Sequence, residues 1–284
     1  MMISRLITIA AALIMSTSLM AQNVNAKLNV SVTKLNYTEK NKSKTDGILD
    51  ALADAMNDQT VTEQPGYVDA VRASVIQALG YVRRFTVSDG LQVPPTPETQ
   101  LIFDGTINYI TTITEWHTKD KNRRQEHYAK ISVTLHKKRA DTGELLDSEV
   151  FEVGRSGGSS YLWDNTRENA IKNGLSSLRR QIGRYYNIDY PLVARILERG
   201  AEKKDKQKEV YIDLGSTHGV YEGLHFDVYT IGKIGGKETR KQIARLKINE
   251  IEGDEVSLCK VTSGAKDLKT ALDEQRELLI VSTD

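Results

Sequence analysis

The stretch from Tyr128 to His136 alternates between apolar and polar side chains, and this pattern constrains the fold more than any other feature. One parity comprises Ala129, Ile131, Val133 and Leu135, and the other comprises Tyr128, Lys130, Ser132, Thr134 and His136. Such alternation is typical of a strand with one buried face and one wet face. The sequence therefore predicts a sheet that is covered on one side.

Neighbouring segments extend this strand into an antiparallel meander. Residues 101–116 precede it and are rich in β-branched and aromatic side chains, and residues 145–153 follow a turn signal at Asp141–Gly143. One parity of the first segment is apolar and predicts a shared face: Phe103, Ile107, Tyr109 and Ile113. The three segments therefore predict neighbouring strands of one sheet.

Apolar residues recur at intervals of three and four in three other places, and this is the spacing of a helix. The predicted helices comprise residues 48–56, residues 68–82 and a third that starts at a capping residue, Asp164 or Asn165, and runs through Tyr185. Two β-branched runs, residues 29–35 and 84–87, predict further strands. We expect the third helix to cover the meander.

Short strands with tight turns replace this pattern after Tyr190. The predicted strands are residues 210–214, 226–230, 243–250, 255–261 and 278–281, with a short helix at residues 268–271. A turn that needs positive φ or close packing is predicted by Gly215, Gly219 and Gly223. Five short strands in roughly 90 residues are typical of a small β-barrel.

The fold class predicted from these elements is α+β. It combines a mixed sheet, with helices packed on one face, and a small C-terminal β-barrel. The break in pattern predicts domains over residues 27–190 and 191–284.

The first 21 residues predict a secretory signal, with a single basic charge followed by an apolar run from Leu6 to Met15. The run is about half the ~20 residues that a membrane-spanning helix needs. Cleavage is predicted after Ala21 or after Ala26. Cys259 is the only cysteine, which excludes an intramolecular disulfide, a thiolate metal cluster and a lipid-anchor cysteine behind the signal. These features predict a periplasmic protein with no transmembrane segment once the signal is removed.

Two segments resemble known bacterial envelope proteins. Residues 28–186 resemble the CsgG/LpoB/TolB-N-terminal group in the order of their pieces: residues 69–87, Phe103–Ile107 with its Gly-Thr-Ile, residues 131–135, residues 141–146 with Asp-Thr-Gly-Glu-Leu-Leu, and the helix at residues 170–182. Residues 190–284 resemble the C-terminal barrel of FlgT, a periplasmic flagellar protein, through the glycine-punctuated run 210–223 and Phe226–Tyr229. These resemblances imply an accessory or assembly protein that acts through protein contacts.

The chain departs from the CsgG secretion channel in three respects. That channel carries a lipid anchor and spans the outer membrane with two hairpins per subunit, whereas this chain offers one long hairpin, residues 101–136, with a charged tip. The outward parity of the hairpin carries Lys130 and His136, where lipid requires apolar side chains. A ring-forming channel subunit is therefore our third interpretation, and a homo-oligomer is left open.

Sequence motifs of known reactions are absent. There is no Gly-x-Ser-x-Gly nucleophile elbow, and Gly235–Thr239 lacks the Ser or Thr that a phosphate loop places directly after its lysine. The glycine-rich residues 154–160 are a weak candidate for anion binding.

The five histidines show no spacing that enforces a metal site, and we expect those of the hairpin, His117 and His127, to be solvated. A net charge of +1 argues against nucleic acid as partner. We predict no enzyme, no cofactor and no metal.

The hairpin tip is the most suggestive surface in the sequence. A tryptophan lies beside four cations there: Trp116, Lys119, Lys121, Arg123 and Arg124. An aromatic anchor within a cationic cluster can dock an envelope protein through burial and charge-steered approach. The alternative is a glycan-binding or glycan-processing protein, which requires carboxylates such as Glu115 and Asp120 to converge in a cleft.

Overall fold

The computed structural model describes residues 24–37, 59–119, 122–154 and 164–283. The predicted leader, the predicted helix at 48–56 and most of the glycine-rich loop lie outside the described residues. The chain divides into two compact units. The sheet unit comprises residues 28–81 and 85–183, and the barrel unit comprises residues 82–84 and 184–283 with the described residues that precede Leu28.

A mixed sheet of six strands forms the sheet unit. Its strands are β1 (Leu28–Tyr37), β2 (Gln59–Glu63), β3 (Phe85–Asp89), β4 (Leu101–Lys119), β5 (Asn122–Arg139) and β6 (Leu145–Val153). Their order is β3-β1-β4-β5-β6, with β2 paired to the far half of β4. β1 is parallel to both β3 and β4, and the remaining pairs are antiparallel. The strands of the predicted meander are thus neighbours in the sheet.

A bulge at Asn108 divides the two faces of β4. Ile107 pairs with Val133, but Tyr109 pairs with Ser132, so one residue of β4 has no partner in the ladder. An extra residue reverses the side-chain alternation beyond it. Phe103 and Ile107 therefore share the apolar face of the sheet, whereas Tyr109 and Ile113 lie on the opposite face. The expectation that these four side chains share one face is wrong.

Two helices cover the apolar face, α1 (Val68–Gly80) and α2 (Arg167–Asp189). In α2, a β-carbon added to Gly174 would lie 3.1 Å from the β-carbon of Ala129, so the helix lies close on β5. α2 begins later than predicted because Thr166 caps it: the Thr166 hydroxyl accepts a hydrogen bond from the backbone N–H of Asn169 at 3.2 Å. Val71, Val75, Leu79, Phe103, Ile107, Ile131, Val133, Leu135, Ile171, Leu178 and Ile182 are fully buried.

An ion pair fixes α1 on the sheet. The Arg72 guanidinium donates to Asp89 Oδ2 at 2.8 Å and to the backbone oxygen of Val32 at 3.1 Å. The hydrogen bonds from Arg72 lower the pKa of Asp89 to about 2. The carboxylate therefore stays ionised, and the pair intact, at any pH near neutrality.

The barrel unit contains a nearly closed sheet of seven strands in the order β7-β15-β12-β13-β14-β11-β8. Its elements are β7 (Val193–Ala194), β8 (Ile196–Arg199), β11 (Glu209–Ile212), β12 (His225–Ile234), β13 (Lys237–Ile251), β14 (Ser257–Ser263), α3 (Ala265–Asp273) and β15 (Leu278–Thr283). Between β8 and β11, two very short strands, β9 (Glu202–Lys203) and β10 (Lys206–Gln207), form a hairpin. The core comprises Leu192, Val210, Ile212, Leu214, Leu224, Phe226, Val228, Leu246, Ile248, Cys259, Leu268 and Ile280. The α+β fold with a small barrel is confirmed.

A side chain extends the barrel sheet at β7. The Asn25 amide nitrogen donates to the backbone oxygen of Val193 at 2.8 Å, and the Val193 N–H donates to Asn25 Oδ1 at 2.9 Å. The amide thus makes the two hydrogen bonds that a neighbouring strand would make. None of the helices in the described ranges combines the length and hydropathy needed to cross a bilayer.

Candidate docking surface

β6 is an edge strand of the sheet unit. It pairs with β5, and no other strand among the described residues pairs with its outer side. A bulge at Leu146 interrupts the ladder, since Lys137 pairs with Asp147 while Lys138 pairs with Leu145. The regular edge therefore runs from Asp147 to Val153. Its outward-facing backbone groups can pair with a strand from another chain.

Apolar side chains are exposed along this edge. Leu145 and Val150 are each 55% exposed and Leu146 is 40% exposed, whereas Phe151 is buried on the helix-covered face. β6 contains no lysine, arginine or proline, the residues that most often protect an edge strand from pairing. It carries three carboxylates instead: Asp147, Glu149 and Glu152. Among the described residues, this edge therefore combines an outermost strand, exposed apolar side chains and acidic residues.

The hairpin between β4 and β5 extends beyond its pairing with β2, whose first residue, Gln59, lies opposite Glu115. Its ladder continues through Trp116 opposite Gln125 to Lys119 opposite Asn122. Trp116 is partly exposed and is on the same face as Thr114. Arg123 and Arg124 belong to the strand portion of β5, and Lys121 lies outside the described residues. The backbone thus places Trp116, Lys119, Arg123 and Arg124 within a few ladder steps of one another, and their role in docking stays a prediction.

A buried histidine joins the base of this hairpin to the start of α2. His127 is 7% exposed, and its Nδ1 lies 2.9 Å from the Thr114 hydroxyl. Its backbone exchanges two hydrogen bonds of 2.8 Å with Asp164. The Asp164 carboxylate in turn accepts hydrogen bonds from the side-chain amides of Asn169 and Asn173 at 3.2 Å. The expectation that His127 is solvated is wrong, because it shares the parity of Ala129 and faces α2.

We expect His127 to make the sheet unit less stable in mild acid. Desolvation lowers the pKa of His127 below its ordinary 6.5, the positive charge of Arg167 lowers it further, and the carboxylate of Asp164 opposes both. Below pH 6.5 the unfolded chain therefore binds a proton that the folded chain binds less well, so stability falls as the pH falls. Urea unfolding at about pH 7.5 and about pH 5.5 measures the loss.

The control for this prediction is the neutral isostere. In His127→Gln the amide oxygen can still meet the Thr114 hydroxyl, but nothing at this position titrates, so its loss of stability between the two pH values should be smaller than that of the wild type. Equal losses in both proteins would assign the pH dependence to other groups.

Three glycines shape the turn after β11. Gly219 and Gly223 have φ of 70° and 99°, in the region that favours glycine. Gly215 has an extended φ, but a β-carbon there would lie 2.3 Å from the backbone oxygen of Gly253. The Asp254 backbone oxygen accepts a hydrogen bond from the Thr217 hydroxyl at 2.6 Å. The turn is thus held against the loop between β13 and β14.

The remaining candidates from the sequence are placed as follows. Glu115 pairs with Glu126 in the β4–β5 ladder, and Asp120 lies outside the described residues, so their convergence remains untested. His117 pairs with Arg124 rather than with His127. Among the described residues, no group of three His, Cys, Asp or Glu side chains is arranged to hold a metal ion. The sequence predicted that a sheet edge, together with the 116–128 hairpin, docks a protein partner, but it did not identify β6 as that edge, since no local pattern shows which strand of a sheet is outermost.

Comparison with solved structures finds bacterial proteins of low similarity. Protein XCC0632 from Xanthomonas campestris, of the DUF330 family, is 13% identical, with 58% of this chain and 86% of that chain covered and a TM-score of 0.33. A PelC dodecamer from Paraburkholderia phytofirmans is 12% identical, with 57% and 88% covered and a TM-score of 0.28. The hypothetical protein CT253 from Chlamydia trachomatis is 11% identical, with 58% and 98% covered and a TM-score of 0.31.

No protein-family model matches the chain. No curated protein matches it either. At TM-scores of 0.28 to 0.33 the structural likenesses carry no argument about function. None of the three proteins bears the name CsgG, LpoB or FlgT, so that resemblance stays a prediction, and the fold class rests on the observed sheets.

Proposed function

We propose that this protein is a non-enzymatic adaptor of a bacterial envelope assembly, which binds a partner protein at the β6 edge. The observation that carries the proposal is that β6 is the outermost strand beside β5 among the described residues, with Leu145, Leu146 and Val150 exposed along it. Monomeric proteins usually protect such an edge, because it pairs readily with other strands. The bulge at Leu146 and the carboxylates of β6 protect part of this edge, but its exposed apolar side chains are best explained by a partner that covers them.

The partner contributes an extended segment that adds a strand to the sheet. In this mode the backbone hydrogen bonds supply affinity and alternate side chains supply specificity. Val150 lies next to Thr134 on the face of the sheet opposite the helices, and Glu152 lies next to the buried Ser132 on the same face. A strand that places an apolar residue against Val150 and a lysine or arginine against Glu152 complements this surface.

The hairpin supplies the second contact. Trp116 is partly exposed and offers a large rigid surface, the kind of side chain that dominates protein interfaces. The cations predicted around it, Lys119, Lys121, Arg123 and Arg124, would accelerate the approach of an acidic partner surface. Both contacts belong to the sheet unit.

The location proposed for this adaptor is the periplasm. The signal-like leader, the single cysteine and the resemblance to CsgG/LpoB-type and FlgT-type envelope proteins support it. Of the two predicted cleavage positions, the one after Ala21 leaves Asn25 in the mature chain, where its amide contacts Val193.

The test is photo-crosslinking at the β6 edge. Benzoylphenylalanine in place of the exposed Ser148 should capture a discrete partner in the envelope of the native cell. Changing Leu146 and Val150 to lysine should lower the yield of that adduct by about tenfold or more. Binding of the partner would then have to remove two ammonium groups from water. The fold should be unaffected, since both side chains are exposed.

The matched control changes Leu91 and Val93 to lysine. These residues are 59% and 56% exposed and lie in the loop after β3, so the substitution types and exposures match. An equal loss of adduct in the control would overturn the assignment to β6. A third variant, with Lys121, Arg123 and Arg124 changed to glutamate, tests the hairpin, which takes no part if the same partner is captured with the same salt sensitivity. Turnover of a cell-wall glycan by the purified protein would contradict the non-enzymatic role.

A further inference from the structure

The β12–β13 hairpin projects beyond the rest of the barrel sheet. β15 pairs with β12 only from His225 to Thr230, and β14 pairs with β13 only from Arg245 onward. Among the described residues, the steps from Gly232 opposite Thr239 to Ile234 opposite Lys237 have no other strand beside them. At the base of this projection the Ile231 N–H donates to the backbone oxygen of Glu277 at 3.4 Å, and Lys241 lies opposite Thr230. Residues 231–241 comprise the two-stranded projection and its base, and we term them the cationic ribbon.

Among the described residues, the charge of the cationic ribbon is only partly balanced, by Glu238, which lies opposite Lys233. The ribbon carries four cations, Lys233, Lys237, Arg240 and Lys241, and one carboxylate, Glu238, for a net charge of +3. Within the described part of the chain, none of the four cations has a carboxylate within ion-pair distance. The three lysines are exposed. A concentration of unpaired positive charge on a projecting element attracts an anionic surface.

An apolar residue forms the tip of the ribbon. Ile234 is 74% exposed, the highest value among the large hydrophobic side chains of the described residues. It precedes Gly235 and Gly236, whose φ angles of 59° and 79° close the tight turn. Exposure of an isoleucine at the end of a projecting turn is unfavourable in water, and burial of its side chain in an apolar medium is favourable. The tip therefore suits a ligand that offers hydrocarbon behind a layer of negative charge.

We propose that the cationic ribbon docks the barrel unit onto an anionic phospholipid surface, with Ile234 inserted among the acyl chains. Lysines at the membrane surface gain from the negative potential of anionic headgroups, and apolar side chains between them gain from burial in the interface. The ribbon contains no aromatic residue, so it lacks the stacking platform with which proteins hold single-stranded nucleic acid. An anionic polymer supplies the charge but no hydrocarbon for Ile234. This contact does not depend on the partner proposed for β6.

Vesicle co-sedimentation tests the proposal on the full mature chain. The wild type should bind phosphatidylcholine vesicles that contain about a third phosphatidylglycerol, and should not bind vesicles of phosphatidylcholine alone. Changing Lys233, Lys237 and Lys241 to glutamine should lower the partition coefficient by about a hundredfold. Changing Ile234 to serine should lower it by about fivefold to tenfold.

The matched control changes Lys203, Lys208 and Lys260 to glutamine. These lysines belong to the same unit, are exposed and take part in no ion pair among the described residues, so the change in net charge is identical. Binding of the control at the wild-type level supports the ribbon. Equal losses in control and ribbon variants, or no binding of the wild type to either vesicle, would overturn the proposal. Binding to a soluble anionic polymer with no binding to vesicles would also overturn it, and in favour of a polymer ligand.

Discussion

Gly264→Ala should strongly lower the free energy of unfolding of the barrel unit. Gly264 precedes α3 with φ of 71°, and a β-carbon there would lie 1.8 Å from the backbone oxygen of Ile243 and 2.7 Å from the Cα of Ala244. Neither neighbour is a flexible side chain, so the β13 backbone must move. A left-handed alanine costs about 1 kcal/mol, and the backbone displacement raises the expected loss to at least about 3 kcal/mol. This is a large fraction of the stability of an ordinary domain.

Denaturant unfolding followed by circular dichroism measures this loss. Gly235→Ala is the informative control, since Gly235 also has positive φ, at 59°, but no atom lies within 4 Å of its added β-carbon. That variant should lose only the free energy that a left-handed alanine costs, about 1 kcal/mol. If the two variants were equally stable, the packing of Gly264 against β13 would not be as described.

Cys259 should be almost inert towards thiol reagents in the native protein. It is fully buried in the barrel core, where it pairs with Val210 of β11 on one side and with Ile248 of β13 on the other. Burial raises the pKa of the thiol from 9.0 to about 12. The thiolate is the reactive form, so both its low population and its inaccessibility slow the reaction, and we expect at least about a thousandfold protection.

Reaction with Ellman's reagent near pH 8 measures this protection. One thiol per chain should react promptly in concentrated guanidinium chloride and almost none in buffer. Rapid reaction in buffer would show that the barrel opens or that the core is packed differently. In the Gly264→Ala variant the thiol should become reactive, which links the two predictions through the same unit.

The protection of Cys259 also bears on the proposed location. A lone cysteine in an oxidising compartment can form only intermolecular disulfides. Burial in the barrel core removes that risk without a partner cysteine. The adaptor proposed here therefore remains compatible with export.

The main elements of both units could be predicted from local patterns. Alternation in residues 128–136 identified β5 and its helix-covered face, and the strand at residues 145–153 has the predicted bounds. The opposite face is not wet throughout, because Tyr128 and Ser132 are 4% and 3% exposed. Spacing at threes and fours identified α1 to within two residues of its end. These patterns work because the side-chain period of a strand or helix follows from backbone geometry alone.

Pairing between distant residues decided the features that local patterns missed. The bulge at Asn108 is visible only in the pairing of β4 with β5, and it places Tyr109 and Ile113 on the face opposite Phe103 and Ile107. Likewise β2 is recognisable only through its partner, the far half of β4. Local alternation contains no information about an extra residue that a ladder leaves unpaired.

The composition, the single cysteine, most strands and helices and the change of pattern near Tyr190 were determined by the sequence itself, because each depends on side chains close together in the chain. Tertiary structure alone decided that β6 is outermost, that residues 231–241 extend past their neighbours, and that His127 is buried beneath α2. Each of these depends on which distant segments lie alongside, and such contacts form only when the whole sheet is assembled.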